Sequence, residues 1–244
     1  LVPLLLAALR LALPTLAAPP SPAFTAGDNE FHFDTGLLRG TLRANGKSLG
    51  LKPALWSETG QDVAGDYGLF SPYRLLTADQ RFGNAAWDWP STARRLPDGA
   101  VEVVWAADQQ HPFSMTGTYR WVSADTLELR LAVTPQRTLR RFEVFLASYF
   151  AGFPESKICA RQPDDAAAFL IADQGSGVWQ AFPRDPAATA LHLAHRRTWP
   201  PHPVKWSIRR PYARALALRT DADNGLTAAL MARPEDCFAV MTPY

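Results

Sequence analysis

Hydrophobic and polar side chains alternate with period two through the middle of the chain. From Met115 to Trp121, and again from Leu127 to Val133, every second residue is apolar or glycine. Successive side chains of a strand point to opposite faces of a sheet, so this pattern predicts two half-buried strands. Ser123-Ala124-Asp125 predicts a short hairpin loop between them. Thr134-Pro135 predicts the end of the second strand, because proline cannot donate to a strand ladder.

A third strand is predicted from Phe142 to Phe150, and it is largely apolar on both faces. Val144 and Leu146 lie on one predicted face, whereas Glu143 and Tyr149 lie on the other. A strand with two apolar faces is typical of a position in the middle of a sheet that is covered on both sides. We therefore expect this strand to be central.

Turn signals separate many short apolar runs along the rest of the chain. Asn45-Gly46, Pro97-Asp98-Gly99 and Asp223-Asn224-Gly225 each predict a hairpin turn. Apart from the first residues, no long segment has a 3.6-residue period. The sequence predicts one all-β domain from Phe24 to Tyr244, a large sandwich of mainly antiparallel strands, with a jelly roll or lectin-like sandwich as the alternative. The sequence stops directly after a predicted strand, which is also compatible with a missing closing strand.

The start of the chain predicts export. Residues 1–18 form an apolar run interrupted by Arg10 and followed by small residues, which is the pattern of a secretory signal peptide, and residues 19–23 form a proline-rich linker. A secreted or periplasmic protein without a stable membrane span after signal removal is expected; the alternative is a buried N-terminal helix.

Composition excludes some partners and cofactors. The chain has 244 residues, 47% of them hydrophobic, and a net charge of +2, which argues against global disorder and indicates no nucleic-acid partner.

Cys159 and Cys237 could form a disulfide or remain free thiols. The cysteines lack zinc-site spacing, His192 and His195 have no accompanying carboxylate, and phosphate- and dinucleotide-binding motifs are missing, so no metal or cofactor is expected. Nothing in the sequence indicates the oligomeric state.

The central strands resemble those of a known superfamily. The hairpin from Tyr119 to Val133, the Thr134-Pro135 break and the segment Ser148-Tyr149-Phe150 are similar to the galactose mutarotase-like β-supersandwich. This resemblance implies a sugar ligand. Aldose epimerases of that superfamily place a catalytic histidine and an asparagine where this chain has Ala147 and Leu146. Mutarotation needs an acid and a base, so the resemblance implies a divergent member that is not a standard aldose epimerase.

The densest polar and aromatic stretch runs from Arg81 to Pro90 and contains Trp87, Asp88 and Trp89. In an extended strand the two tryptophans would share one face. Indole rings stack on the CH faces of sugars, while carboxylates and guanidinium groups bind hydroxyls, so these are candidate sugar-binding residues. We expect Arg74, Arg81 and Tyr149 to lie near them as binding residues. The alternative is that both tryptophans fill the core and Asp88 caps a turn.

A second candidate site is the proline-rich loop from Arg196 to Trp206, in which Lys205 and Trp206 are candidate binding residues. The alternative is a solvated connector. Asp88, Glu143 and His202 are the candidate catalytic residues, since each could act as an acid or base. Three functions stay open: a carbohydrate-binding module, a polysaccharide lyase or glycoside hydrolase that uses a carboxylate with a histidine or tyrosine, and a structural exported protein.

Overall fold

The structure confirms an all-β sandwich with almost no helix. A computed structural model describes residues 22–27, 30–44, 46, 49–77, 80–172, 178–190 and 205–242. The predicted signal peptide lies outside these residues. Within them the chain forms eighteen strands and a few short helical turns, of which the turns at Ala86–Asp88, Pro186–Ala188 and Pro234–Asp236 have assigned bounds.

The strands form five small sheets. The first has the order β1 (Thr25–Ala26), β2 (Phe31–Asp34), β3 (Leu38–Arg43), β4 (Gly50–Trp56). The second has the order β10 (Thr126–Pro135), β9 (Phe113–Ser123), β8 (Val101–Trp105), β7 (Ser91–Arg95). The third has the order β11 (Glu143–Ala147), β5 (Ser71–Leu76), β6 (Arg81–Phe82). The fourth has the order β13 (Ala167–Ile171), β12 (Glu155–Arg161), β16 (Tyr212–Asp221), β17 (Leu226–Met231). The fifth has the order β15 (Lys205–Ile208), β14 (Val178–Pro183), β18 (Ala239–Thr242), in which β14 and β15 are parallel.

The predicted central hairpin is confirmed and supplies the larger of two hydrophobic cores. Strands β9 and β10 pair from Thr126 opposite Ser123 to Pro135 opposite Phe113. Alternate residues of β9 are fully buried, and Tyr119 at its centre donates from its hydroxyl to the carbonyl oxygen of Phe70 at 2.8 Å. The alternation that predicted the hairpin is thus the alternation of core and solvent-side positions.

A second core lies on the fourth and fifth sheets. Ile158, Phe182 and Tyr212 are its large buried side chains. The two cysteines do not form a disulfide here: both are free, and the thiol of Cys237 donates to the carbonyl oxygen of Ala239 at 3.3 Å. Burial raises the pKa of the Cys237 thiol, so this side chain behaves as a packing residue.

Two sequence expectations about strand pairing are wrong. Strand β11 lies at the edge of its three-stranded sheet and not in the middle. One of its apolar residues, Phe145, contacts the rings of Tyr73 and of Trp179 on strand β14 of the fifth sheet. The connection between β3 and β4 is longer than the two-residue hairpin expected at Asn45-Gly46, because Arg43 pairs with Gly50 and the backbone of Gly46 bonds to Ser91 of a neighbouring strand; Asn45 itself lies outside the described residues.

The segment that follows β4 folds back closely on it. Leu69 forms an antiparallel bridge with Leu51, and Gly68 has a φ of +74°. A Cβ at Gly68 would overlap the carbonyl oxygen of Leu49. Glycine at this position therefore lets the segment lie against β4, and it determines where Tyr67 emerges at the surface.

Replacing Gly68 with alanine is expected to destabilise the protein far more than the matched change Gly36→Ala. Both glycines have positive φ, which costs alanine about 1–2 kcal/mol, but a Cβ at Gly36 meets no atom within 4 Å. Urea unfolding of the two variants measures the difference. Equal losses of unfolding free energy would show that the close approach of this segment to β4 is not required.

Candidate functional site

A bulge in the pairing of β5 with β11 brings two neighbouring side chains together. Arg74 pairs with Phe145 and Pro72 pairs with Leu146, so Tyr73 is left out of the register. A bulge re-aims the side chain of the extra residue. Here the Nη2 atom of Arg74 donates to the hydroxyl of Tyr73 at 2.7 Å, and its guanidinium carbon lies 4.6 Å from the centre of the Tyr73 ring.

Four rings from separate parts of the chain meet at this bulge, and we call Tyr67, Tyr73, Trp87 and Tyr149 the aromatic cluster. Trp87 stacks on Tyr73 with ring centres 4.8 Å apart and planes 13° apart. It also stacks on Tyr67, at 5.3 Å and 16°. Tyr149 contacts both tyrosines, at 5.1 Å from Tyr67 and 6.4 Å from Tyr73.

Backbone hydrogen bonds hold the outer part of the aromatic cluster in place. The amide of Gly65 donates to the carbonyl oxygen of Tyr149 at 2.6 Å, and the amide of Tyr149 donates to the carbonyl oxygen of Gly68 at 2.9 Å. These bonds fasten the segment that carries Tyr67 to the chain that follows β11. The site is thus assembled by contacts between residues about eighty positions apart in sequence.

The aromatic cluster is accessible to a ligand. Tyr67 is 51% exposed, and Tyr73, Trp87 and Tyr149 are half-buried. Large aromatic side chains are usually mostly buried, so a stack of rings that are all partly exposed forms an unusual surface. Such a surface can stack on a flat apolar ligand face, and the tyrosine hydroxyls and Arg74 add polar groups beside it.

Behind the aromatic cluster lies a second layer of rings. Phe145 contacts Tyr73 at 5.6 Å and Trp179 of β14 at 5.7 Å. In the parallel pairing of β14 with β15, Trp206 occupies the position beside Trp179, and Lys205 precedes it. The backbone therefore brings the end of the second candidate segment next to this layer, whereas His202 lies outside the described residues.

Trp89 belongs to the core and not to this surface. Residues Ala86–Asp88 form a 3₁₀ turn, so the expectation that Trp87 and Trp89 share one strand face is wrong. Trp89 is 2% exposed, its indole nitrogen donates to the carbonyl oxygen of Ala106 at 3.0 Å, and its ring stacks on His111 at 4.1 Å. For Trp89 the alternative of core packing describes the structure, and only Trp87 reaches the aromatic cluster.

The charged candidates lie on elements that adjoin the aromatic cluster. Arg81 and Glu143 both pair with Leu76, from the two neighbours of β5, so they occupy one cross-strand row. Glu143 is 9% exposed and Arg81 is half-buried. Asp88 is exposed at the end of the turn that carries Trp87. The sequence thus indicated Arg74, Trp87 and Tyr149, which the structure brings together, but it missed Tyr67, Tyr73, Phe145 and Trp179.

Two cavities lie elsewhere. One of about 390 Å³ is lined by residues that include Leu170, Phe182 and Arg209, and one of about 210 Å³ by residues that include Arg120 and Trp121. Neither is lined by a ring of the aromatic cluster. Among the described residues, no three His, Cys, Asp or Glu side chains are close enough to hold a metal ion, and no helix is both long and apolar enough to cross a membrane.

Comparisons with protein-family models, with curated proteins and with solved structures found no match for this chain. The function is therefore argued from the geometry of its own residues.

Truncating Trp89 is expected to lower the stability of the protein far more than truncating Tyr67. Trp89→Ala leaves a cavity in the core and should cost about 3–5 kcal/mol of unfolding free energy. Tyr67→Ala removes an exposed ring and should cost well under that. Thermal and urea unfolding of both variants tests the assignment, and a Trp89→Ala protein as stable as the Tyr67→Ala protein would contradict it.

Proposed function

We propose that this protein is an exported carbohydrate-binding β-sandwich of galactose mutarotase-like fold, with the aromatic cluster as its ligand surface. The observation that carries the proposal is the nearly parallel stacking of Tyr67 and Tyr73 on Trp87 at an accessible surface, with Arg74 against Tyr73. The resemblance of the central strands to that superfamily and the signal-like start of the chain support the fold and the location.

Sugar chemistry matches this arrangement. The CH groups of a pyranose ring form an apolar face that packs on indole and phenol rings, while its hydroxyls need donors and acceptors at the edge. Tyrosine hydroxyls both donate and accept, and a guanidinium group donates. The aromatic cluster offers the rings, and Arg74 and Asp88 lie beside it.

An enzyme of the lyase or hydrolase class is the second candidate, and Glu143 favours it. This carboxylate is more than nine-tenths buried and lies two residues from Phe145, which contacts Tyr73 of the aromatic cluster. Asp88 is exposed on a different element. The ring contacts therefore support ligand binding directly, whereas acid–base chemistry would rest on the buried carboxylate of Glu143 alone.

A purely structural role is the third candidate. A structural role would explain the burial of Trp89, but it does not explain the exposure of the stacked Tyr67 ring. A ring that packs only for stability is expected to be mostly covered, whereas Tyr67 is 51% exposed and still held in a stack.

Glycan binding should depend on the rings of the aromatic cluster. We expect Tyr67→Ala and Trp87→Ala to weaken binding by about tenfold or more, since each removes a stacking face. Phe169→Ala is the matched control, because Phe169 is an aromatic ring of similar exposure, 49%, on strand β13 of another sheet. A glycan array identifies the ligand for wild-type protein, and titration of the three variants with that ligand measures the effect.

Release of new reducing ends from the bound glycan separates the binding module from the enzyme. Binding without release supports the first proposal, and release that is lost in Glu143→Gln supports the second. If both Tyr67→Ala and Trp87→Ala bound the glycan with the affinity of the wild-type protein, the aromatic cluster would be ruled out as the ligand surface.

A further inference from the structure

Arg74 is a buried cation with few partners. Its side chain lies in β5 and the residue is 8% exposed. Of its donor groups, one Nη2 hydrogen reaches the Tyr73 hydroxyl, and the Nε atom has no hydrogen-bond partner among the described residues. No ion pair joins Arg74 to a carboxylate within the described part of the chain.

An arginine in this position is costly unless something compensates its charge. Proteins do not neutralise arginine, so the cost of burying its charge has to be offset by contacts. Buried charges are normally paired, and a buried cation without a hydrogen-bonded anion lowers the stability of the folded state. The stacking of Arg74 on Tyr73 offsets only part of that cost.

The sheet around Arg74 carries an excess of positive charge. Strands β5, β6 and β11 contain two arginines, Arg74 and Arg81, and one acidic residue, Glu143. Glu143 lies opposite Leu76, two pairs along the ladder from the pair that Phe145 forms with Arg74. The site thus contains a buried cation that lies against the Tyr73 ring of the aromatic cluster and whose Nε atom has no hydrogen-bond partner among the described residues.

We propose that the ligand of the aromatic cluster is an acidic sugar, and that Arg74 binds the carboxylate of a uronic acid. This inference rests on the proposed function. A uronic acid combines the two features that the site requires, a pyranose face for the rings and a planar anion at its edge. The guanidinium fork matches a carboxylate with two parallel hydrogen bonds, and such charge-assisted bonds are about twice as strong as neutral ones. Arg74 is then the residue that determines specificity.

The first experiment compares acidic and neutral ligands on the wild-type protein. Oligomers of galacturonate, glucuronate and mannuronate are each titrated against wild-type protein beside their carboxyl-reduced, neutral forms. At least one acidic oligomer is expected to bind about tenfold more tightly than its reduced form. Equal affinity for every acidic and reduced pair would overturn the inference but leave carbohydrate binding intact, whereas a glycan array without any binding would overturn the proposed function itself.

Two variants then assign the preference to Arg74. Arg74→Lys keeps the charge and loses the planar fork, and it is expected to remove most of the difference between acidic and reduced forms. Arg130→Lys is the control, because Arg130 is an exposed arginine of another sheet that pairs with Glu128, and its preference should equal that of wild type. An unchanged preference in a folded Arg74→Lys protein would overturn the role of Arg74. Binding of sulfated neutral glycans in place of uronates would overturn the choice of a carboxylate.

Discussion

The candidate site depends on the register shift that excludes Tyr73 from the pairing of β5 with β11. Without that bulge Tyr73 and Arg74 would point to opposite faces of the sheet, as neighbours in a regular strand do. With it, the Tyr73 ring contacts Arg74, Trp87 and Phe145 together. Bulges occur often beside functional sites because they redirect one side chain without disturbing the rest of the ladder.

The two sides of the aromatic cluster are held by different means. Tyr73 and Trp87 are carried by β5 and by the turn anchored next to buried Trp89, so the larger core determines their position. Tyr67 and Tyr149 are carried by loops that bond to each other through their backbones. Loops on a rigid β scaffold are common places for binding residues. The larger core thus fixes the inner rings of the aromatic cluster, whereas loops carry its outer rings.

Sequence patterns predicted the parts of this molecule that depend on local periodicity. The hairpin of β9 and β10 was predictable because alternate side chains reveal a half-buried strand. Residue chemistry alone indicated Arg74, Trp87 and Tyr149. The sequence left both a surface and a core position open for Trp89; what it did not predict is the short 3₁₀ turn that separates Trp87 from Trp89 in a stretch that also suits an extended strand. Tyr67 and Tyr73 were missed because their roles arise from strand register and from contacts between distant segments. The double apolar pattern of β11 misled for the same reason: the strand lies at a sheet edge, and its Phe145 contacts the rings of Tyr73 and of Trp179 on β14.

The most direct test of the aromatic cluster as the ligand surface is an NMR titration. It follows the indole N–H resonances of the tryptophans while the glycan identified on the array is added. Tryptophan-to-phenylalanine variants assign the signals. If the aromatic cluster is the ligand surface, the Trp87 resonance shifts with the same saturation curve as the overall binding signal, and the resonances of core residues Trp89 and Trp105 stay in place. A saturating glycan that leaves the Trp87 resonance unmoved would contradict the account.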